Sequence, residues 1–527
     1  STGLLVENAH RDQWQEVLVL AAGLGTPELS EQLIRNLLAR AKSDSPNRHR
    51  LQLLAVACLE TTPLLAKEMQ EEIEAVLVGL IPPKTMSEAK AIASAGEVAA
   101  PLLANHWDDP VATAAPSARA LGLIGGDTAM AMLERFGPDP RVTVSRELVR
   151  SWDHFPTDLY AERVLKQSVL DRGALEVNSA EKLKAVRHLD RLHRLACIGG
   201  PYRGTLGWDW SSLAEVDSLL SLELQFLDYL TDLPPLADGG ANLVRLRVAR
   251  CPSLVELSLY GLRRLQTLAL TANPELGQLV GLDDLQSLRT FNVISCQELS
   301  FNFRLPPSCT SLTLGNLPIQ SLEVAESADL VSVMLRDCPE LTDISALQDK
   351  GEIEDLTIRN CGPIEDFHRI LELPALRELA VSDTLFNAFD SLASASQLTA
   401  LSLRSTAIAD LAPLTAIPEL QALDLSWSEE LYDLDPIRSQ SDLWSLTLIG
   451  CSNISSLDAL KEMKGLRNLD IEMCGGINDL DPLIELPNLK LVDARGCGEG
   501  INPESLRARG VTVFTGQPVS SPGRRYV

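Results

Sequence analysis

Between Leu219 and Ala494 the chain repeats one motif, Leu-x-x-Leu-x-Leu followed by a small residue, at intervals of roughly 21 to 24 residues. The cores read Leu219/Leu222/Leu224, Leu243/Leu246/Val248, Leu265/Leu268/Leu270 and Leu288/Phe291/Val293, and continue in register to Leu466/Leu469/Ile471 and Leu489/Val492/Ala494. A unit this short cannot bury its own apolar side, so it must stack on its neighbours into a shared spine. Within each core the apolar residues alternate with polar ones, the period of a strand with one face in solvent. Thirteen such strands predict a parallel sheet whose twelve steps of ~4.8 Å span ~60 Å. A face of that length suits a macromolecule better than a metabolite.

Composition supports a repeat array. Of 527 residues 45% are hydrophobic but only 4% aromatic, so the apolar content is mostly Leu, Ala, Val and Ile. A net charge of −26 opposes general binding to nucleic acid, which relies on Lys and Arg to displace counterions. No apolar run reaches the ~18–20 residues of a membrane span, and Ser1–His10 lacks the form of a signal peptide. A soluble cytoplasmic protein is expected. The missing initiator Met and the early helical pattern at Asp12-Gln13-Trp14 lead us to expect a piece of something longer.

The small residue after each core is Cys251, Asn273, Cys296, Cys338, Cys361, Thr384, Thr406, Ser428, Cys451, Cys474 or Cys497. One position of the repeat thus takes most of the ten cysteines, which are expected to be reduced and structural. A metal ladder is the alternative, but no Cys-x-x-Cys occurs and zinc requires four converging ligands. In late repeats the second half reads Ile408-Ala-Asp-Leu-Ala-Pro-Leu414, Leu431-Tyr-Asp-Leu-Asp-Pro-Ile437 and Ile477-Asn-Asp-Leu-Asp-Pro-Leu483. Over residues 219–515 this array resembles the internalin-like class of bacterial leucine-rich repeats, about 13 of them. The resemblance implies an α/β solenoid: a curved horseshoe with a parallel concave sheet and an outer side of short turns or 3₁₀ segments. It says nothing of the ligand.

Ahead of the repeats, residues 1–190 carry helix-spaced apolar residues and are expected to form an all-α, HEAT-like helical-repeat domain. Candidate helices include Pro27–Ala41, Met86–Ser94, Val111–Leu123, Pro140–Ser151 and Leu159–Ser168. The third should end at glycine, with Asp127 capping the next. Residues 191–218 form a transition and 516–527 a flexible tail. The segment Arg11-Asp-Gln-Trp14-Gln-Glu16-Val-Leu-Val-Leu-Ala-Ala-Gly23 resembles the helix that follows the nucleotide-binding and winged-helix regions of bacterial NACHT/STAND signalling NTPases, relatives of animal NLR immune receptors. Their domain order, helices then a C-terminal sensor, is also the order here. The resemblance implies a ligand-sensing region, intramolecular contact with an NTPase upstream of Ser1, and cytoplasmic defence signalling by oligomerisation. No Gly-x-x-x-x-Gly-Lys-Ser/Thr lies in this chain.

Catalytic constellations are missing from the sequence: His-Glu-x-x-His, Gly-x-Ser-x-Gly, Gly-x-Gly-x-x-Gly and Cys-x-x-Cys do not occur. Among seven histidines only His188 and His193 are close, at a spacing that separates them on a helix. The Asp433/Asp435 and Asp479/Asp481 pairs recur with the outer turn and read as solvated repeat residues. We expect no catalysis, no cofactor and no metal. The expected partner is a protein held on the concave face, with the isolated chain monomeric and the longer protein able to oligomerise. Candidate contacts are Arg245, Arg247 and Arg250 on the second strand, the column Arg336, Arg359 and Arg404 with Ser382 inside it, and the rim residues Trp427 and Trp444; Arg495 stands near the far end. Aligned guanidinium groups suit an acidic or phosphorylated surface, unless Asp337, Asp355 and Asp383 neutralise them. A stand-alone adaptor, a leucine-rich-repeat ubiquitin ligase using Cys58, and an adhesin are the competing readings.

Overall fold

The computed structural model describes residues 2–61, 66–200, 208–233, 242–282, 285–364 and 367–518. The tail beyond 518 lies outside them. The chain divides into two compact units, residues 1–225 with 236–243, and residues 226–235 with 244–527.

The first unit is helical before it becomes a sheet. Pro27–Ser43 starts with proline in its first turn and buries Leu33, Ile34, Leu37, Leu38 and Ala41 along one side. Met86–Ala93 is capped by Thr85, whose Oγ1 accepts the Glu88 N–H at 3.1 Å. Val111–Ile124 packs on Val142–Ser151, and glycine at 122 is what allows this approach. A Cβ there would stand 1.8 Å from Ser151 Oγ. The turn after this helix corrects one expectation: Gly125, at φ 69°, both ends it and precedes the next helix, Gly126–Leu133, so Asp127 lies in the first turn rather than at the cap. The segment expected as Leu159–Ser168 is a short α-turn, Thr157–Tyr160, running into a π-helical turn, Ala161–Leu165. Buried Tyr160 locks it by donating to the Leu148 carbonyl at 3.0 Å.

The strand ladder begins earlier than the repeat count from Leu219 implies. In this unit β1 (Ala174–Val177) pairs in parallel with β2 (Arg194–Ile198), and β2 with β3 (Ser221–Gln225). Leu195 and Cys197 are buried as the inward positions of β2, and Leu192, just ahead of it, is buried too. Cys197, which looks isolated in the sequence, is therefore a third core position of a coil.

In the second unit the strands are β4 (Asp232–Leu233), β5 (Arg245–Ala249), β6 (Glu256–Ser258), β7 (Thr267–Thr271), β8 (Gln278–Val280), β9 (Thr290–Ile294), β10 (Ser311–Gly315), β11 (Ser332–Arg336), β12 (Asp355–Arg359), β13 (Glu378–Ser382), β14 (Ala400–Arg404), β15 (Ala422–Asp424), β16 (Ser445–Thr447), β17 (Asn468–Asp470), β18 (Leu491–Asp493) and β19 (Thr512–Phe514). From β5 onward all but β6 and β8 form one parallel sheet in chain order, each strand paired with the next. β4, β6 and β8 form a separate three-stranded sheet from the second halves of the early coils. Later coils use 3₁₀ turns there, among them Ala412–Ala416, Asp435–Ile437 and Asp481–Leu483. The outer side is thus strand first and 3₁₀ later. The inward Leu, Ile, Val and Phe of each coil are almost fully buried. At ~25 cal/mol per Å² of apolar area this burial is what holds successive coils together.

Two local devices make the coils repeat. The second residue after each core adopts a left-handed conformation: Arg250, Ala272, Ser295, Asn316, Asp337, Asn360, Asp383, Ser405, Trp427 and Met473 have φ between 48° and 63°, with Gly450 and Gly496 completing the series. This turns the chain under the sheet and buries the next small side chain. Cys451, Cys474 and Cys497 donate Sγ–H to the carbonyl of Leu425, Leu448 and Ile471 in the previous coil, at 3.1, 2.9 and 3.0 Å. Asn273 spans two coils, accepting the Cys251 N–H at 3.0 Å and donating to the Val248 carbonyl at 3.0 Å. These side chains satisfy backbone groups that the turn would otherwise strand. The second device explains the recurring aspartates: Asp343, Asp410, Asp433 and Asp479 each accept the N–H two residues on, at 2.8–2.9 Å, and so start the following turn.

Candidate functional site

The solvent face of the long parallel sheet in the second unit carries three rows of side chains over β10 to β14 and two over β15 to β18. Register fixes them. The row nearest the strand ends reads Gly315, Arg336, Arg359, Ser382 and Arg404 across β10 to β14. The middle row reads Thr313, Met334, Thr357, Ala380, Ser402, Asp424, Thr447, Asp470 and Asp493 across β10 to β18. The first row includes Asp355, Glu378, Ala400 and Ala422. Small side chains make a shallow trough of about 290 Å³ over β12 to β16, with Asp355, Glu378 and Asp424 among its acidic walls.

The structure brings Arg336 and Arg359 side by side on adjacent strands, and Arg404 two strands beyond. They are not equivalent. Arg404 Nε lies 3.6 Å from Asp424 on the neighbouring strand. Arg336 is half-buried, has no carboxylate in ion-pair range among the described residues, and lies across Gly315. Asp337, the alternative partner in the sequence, is held by Asn360, whose Nδ2 donates to Asp337 Oδ1 at 2.8 Å.

Arg245 and Arg247 point outward from β5 and are exposed, while Arg250 turns back so that its guanidinium lies 5.0 Å from the Phe226 ring centroid. β5 is four strands from β11 in the sheet, ~19 Å at the usual spacing, so the two arginine groups do not converge. The tryptophans also stand apart. Trp427 follows β15 at the left-handed position and packs its ring over Gly450, where a Cβ would be 2.4 Å away. Trp444 precedes β16 at the opposite end of the strands and is 39% exposed. Of the two, Trp444 is the more exposed.

The sequence reading missed a carboxylate cluster at the far end of the sheet. Asp470, Glu472 and Asp493 bring carboxylate oxygens within 4.8 Å of one another. Arg495 bonds Asp493 through Nε at 2.8 Å, reaches Glu472 at 3.9 Å, and stacks 5.6 Å from the Phe514 ring centroid. Burial, reinforced by the neighbouring Asp493 and Glu472, pushes the Asp470 carboxyl up to about 6. Each of Asp424, Asp470 and Asp493 also accepts the N–H two residues on. The signal was visible as Asp at one position in three of four coils.

The other sequence candidates are accounted for structurally. His188 pairs with Asp158 at 3.1 Å, and the His193 ring lies against Gly173. Burial raises the Cys58 thiol to about 12, far from a nucleophile's range. Among the described residues no helix is long and apolar enough to cross a membrane.

No family model and no curated protein matches the chain. Solved structures do. An internalin from Listeria monocytogenes is 16% identical over 65% of this chain and 95% of its own, with a TM-score of 0.44. A leucine-rich-repeat protein of Leptospira interrogans is 20% identical over 62% of this chain and 91% of its own, with a TM-score of 0.46. A chain of the Drosophila Toll–Spatzle complex is 15% identical over 62% and 50%, with a TM-score of 0.45. The chain's own parallel ladder and coil signature define its class: a helical region followed by a leucine-rich-repeat solenoid.

Proposed function

We propose that this chain is the ligand-sensing, non-catalytic part of a bacterial NLR-like NACHT/STAND signalling NTPase. It recognises a macromolecular trigger, an invader or phage protein, on the leucine-rich-repeat face, and thereby controls oligomerisation in cytoplasmic immune defence. One observation carries the reading: a continuous solvent face bearing polar and charged side chains, among them Arg336, which meets no carboxylate among the described residues, follows in sequence a helical block that opens with the Trp14 motif. Mechanistically, the trigger must bind one state of the protein better than the other, since only differential affinity moves such an equilibrium. The NTPase would be supplied by sequence upstream of Ser1.

Reading the gene upstream of Ser1 tests the proposal. An in-frame P-loop is expected, and a complete gene without one would sink it. For the surface itself, partner recovery with Arg336→Glu/Arg359→Glu should fall sharply against wild type. Equal recovery would remove that row from the interface and leave a stand-alone adaptor, binding through another face, as the better account.

A further inference from the structure

Arg336 leaves β11 and crosses the neighbouring strand rather than extending into solvent. Its path exists because residue 315 is glycine: a Cβ there would stand 2.9 Å from Arg336 Cγ and 3.0 Å from Nε. The side chain borders an open depression of about 460 Å³ lined by Ile294, Ser295, Asn316, Asp337, Pro339 and Asn360. The polar groups there are largely committed to one another. Asn316 Nδ2 donates to Ser295 Oγ at 3.0 Å, and Asn360 holds Asp337. The guanidinium is the exception, since no carboxylate among the described residues uses its planar fork of donors. The same kind of residue is neutralised elsewhere on this face, Arg404 by Asp424 and Arg495 by Asp493.

A half-buried arginine fork has lost part of its hydration and gains most from a bidentate carboxylate. On a chain of net charge −26 the long-range field repels an acidic partner, so any capture of one must be local. We infer that the Gly315–Arg336 depression is the acceptor for a carboxylate on an acidic, Glu- or Asp-bearing segment of the protein partner. Gly315 acts as the positioning residue that keeps Arg336 laid across β10. This inference rests on the recognition face proposed above and specifies its chemistry.

The probe is a fluorescein-labelled octaglutamate peptide, titrated by anisotropy into the full 527-residue chain at low salt, with octaglutamine as reference. Saturable binding of octaglutamate alone is expected. Arg336→Ala should weaken it at least tenfold, Arg336→Lys several-fold, and Gly315→Ala several-fold with an unchanged circular-dichroism spectrum. Arg438→Ala, on an outer turn paired with Asp435, should leave binding as it was. Undiminished binding by Arg336→Ala, or none by wild type, overturns the inference. So does displacement by inorganic phosphate at lower concentration than by glutarate, which would assign the fork to phosphate. A further variant, Ala380→Trp, fills the neighbouring trough. If it abolishes binding while Arg336→Ala does not, the carboxylate acceptor is wrong but the recognition face survives. If neither variant changes binding, both fall.

Discussion

The two halves of the long parallel sheet in the second unit share a framework and differ in how they spend charge. From β7 to β14 the strands in the sheet run five residues, so a third outward side chain joins the ladder, and Arg336 stands there with no carboxylate partner among the described residues. From β15 to β18 they run three. In three of these four coils an aspartate in the middle row folds its carboxylate onto the N–H two residues on. The same aspartates then sit within reach of the arginines, and Arg404 and Arg495 become internal ion pairs. Similar spines therefore support one region in which Arg336 meets no carboxylate among the described residues and another in which aspartates, a glutamate and Arg495 gather within the fold.

If the spine is common to both, deleting one leucine from either half should cost the same. Leu356→Ala on β12 and Leu469→Ala on β17 each remove a side chain at most 1% exposed. Each should lose about 2–5 kcal/mol, the range for a buried leucine cut to alanine. Urea denaturation of the two variants is the comparison. A loss confined to one of them would break the claim of a shared spine, because coupled coils transmit a defect to their neighbours.

The left-handed turn offers a smaller contrast. Gly450→Ala forces a Cβ to within 2.4 Å of Trp427 at φ 73°, and should cost about 2–3 kcal/mol from clash and backbone strain together. In the open half Ala272 already bears that strain at φ 55°. Replacing it by glycine should raise stability by up to about 1 kcal/mol, less whatever freedom glycine adds to the unfolded chain. Thermal unfolding of both variants measures this, and a loss in the second would show that the turn is not strained where its residue is not glycine.

Much of this was legible in the sequence because leucine spacing reports burial directly. The coils from Leu219 to Ala494, the arginine row and the structural role of the cysteines could all be read from position alone. β1 and β2 escaped because a helix, Ala180–Ala185, lies between them and each core is degenerate, although Leu192-x-x-Leu195-x-Cys197 carried the pattern. What could not be read was pairing across coils. Whether Arg336 meets Asp337, or Asp337 meets Asn360, depends on a backbone turn that the one-dimensional pattern does not encode. Trp427 illustrates the same limit: its value as an anchor depended on whether residue 450, in the next coil, leaves room for the ring.

The finest difference between the halves is a response to pH. The Asp470 carboxyl titrates near 6, above its ordinary 3.8, because burial and two neighbouring carboxylates disfavour its charge. The folded chain therefore holds this proton more tightly than the unfolded chain. Its contribution to stability is present in full below pH 3.8, declines as pH rises through the window from 3.8 to about 6, and is gone above it. Asp470→Asn keeps an oxygen for the Glu472 N–H and removes the charge. It should raise stability at pH 8 by about 1 kcal/mol, a figure reduced for the solvent that reaches the group, and change nothing at pH 3.5. Thr357→Asn occupies the same row in the open half and adds no charge, so it supplies the pH-independent reference. Thermal midpoints of the three proteins from pH 3.5 to 8 make the comparison. If the Asp470→Asn gain is the same at every pH, the cluster is not a site of stored repulsion, and the consumption of charge that separates the two halves is complete without it.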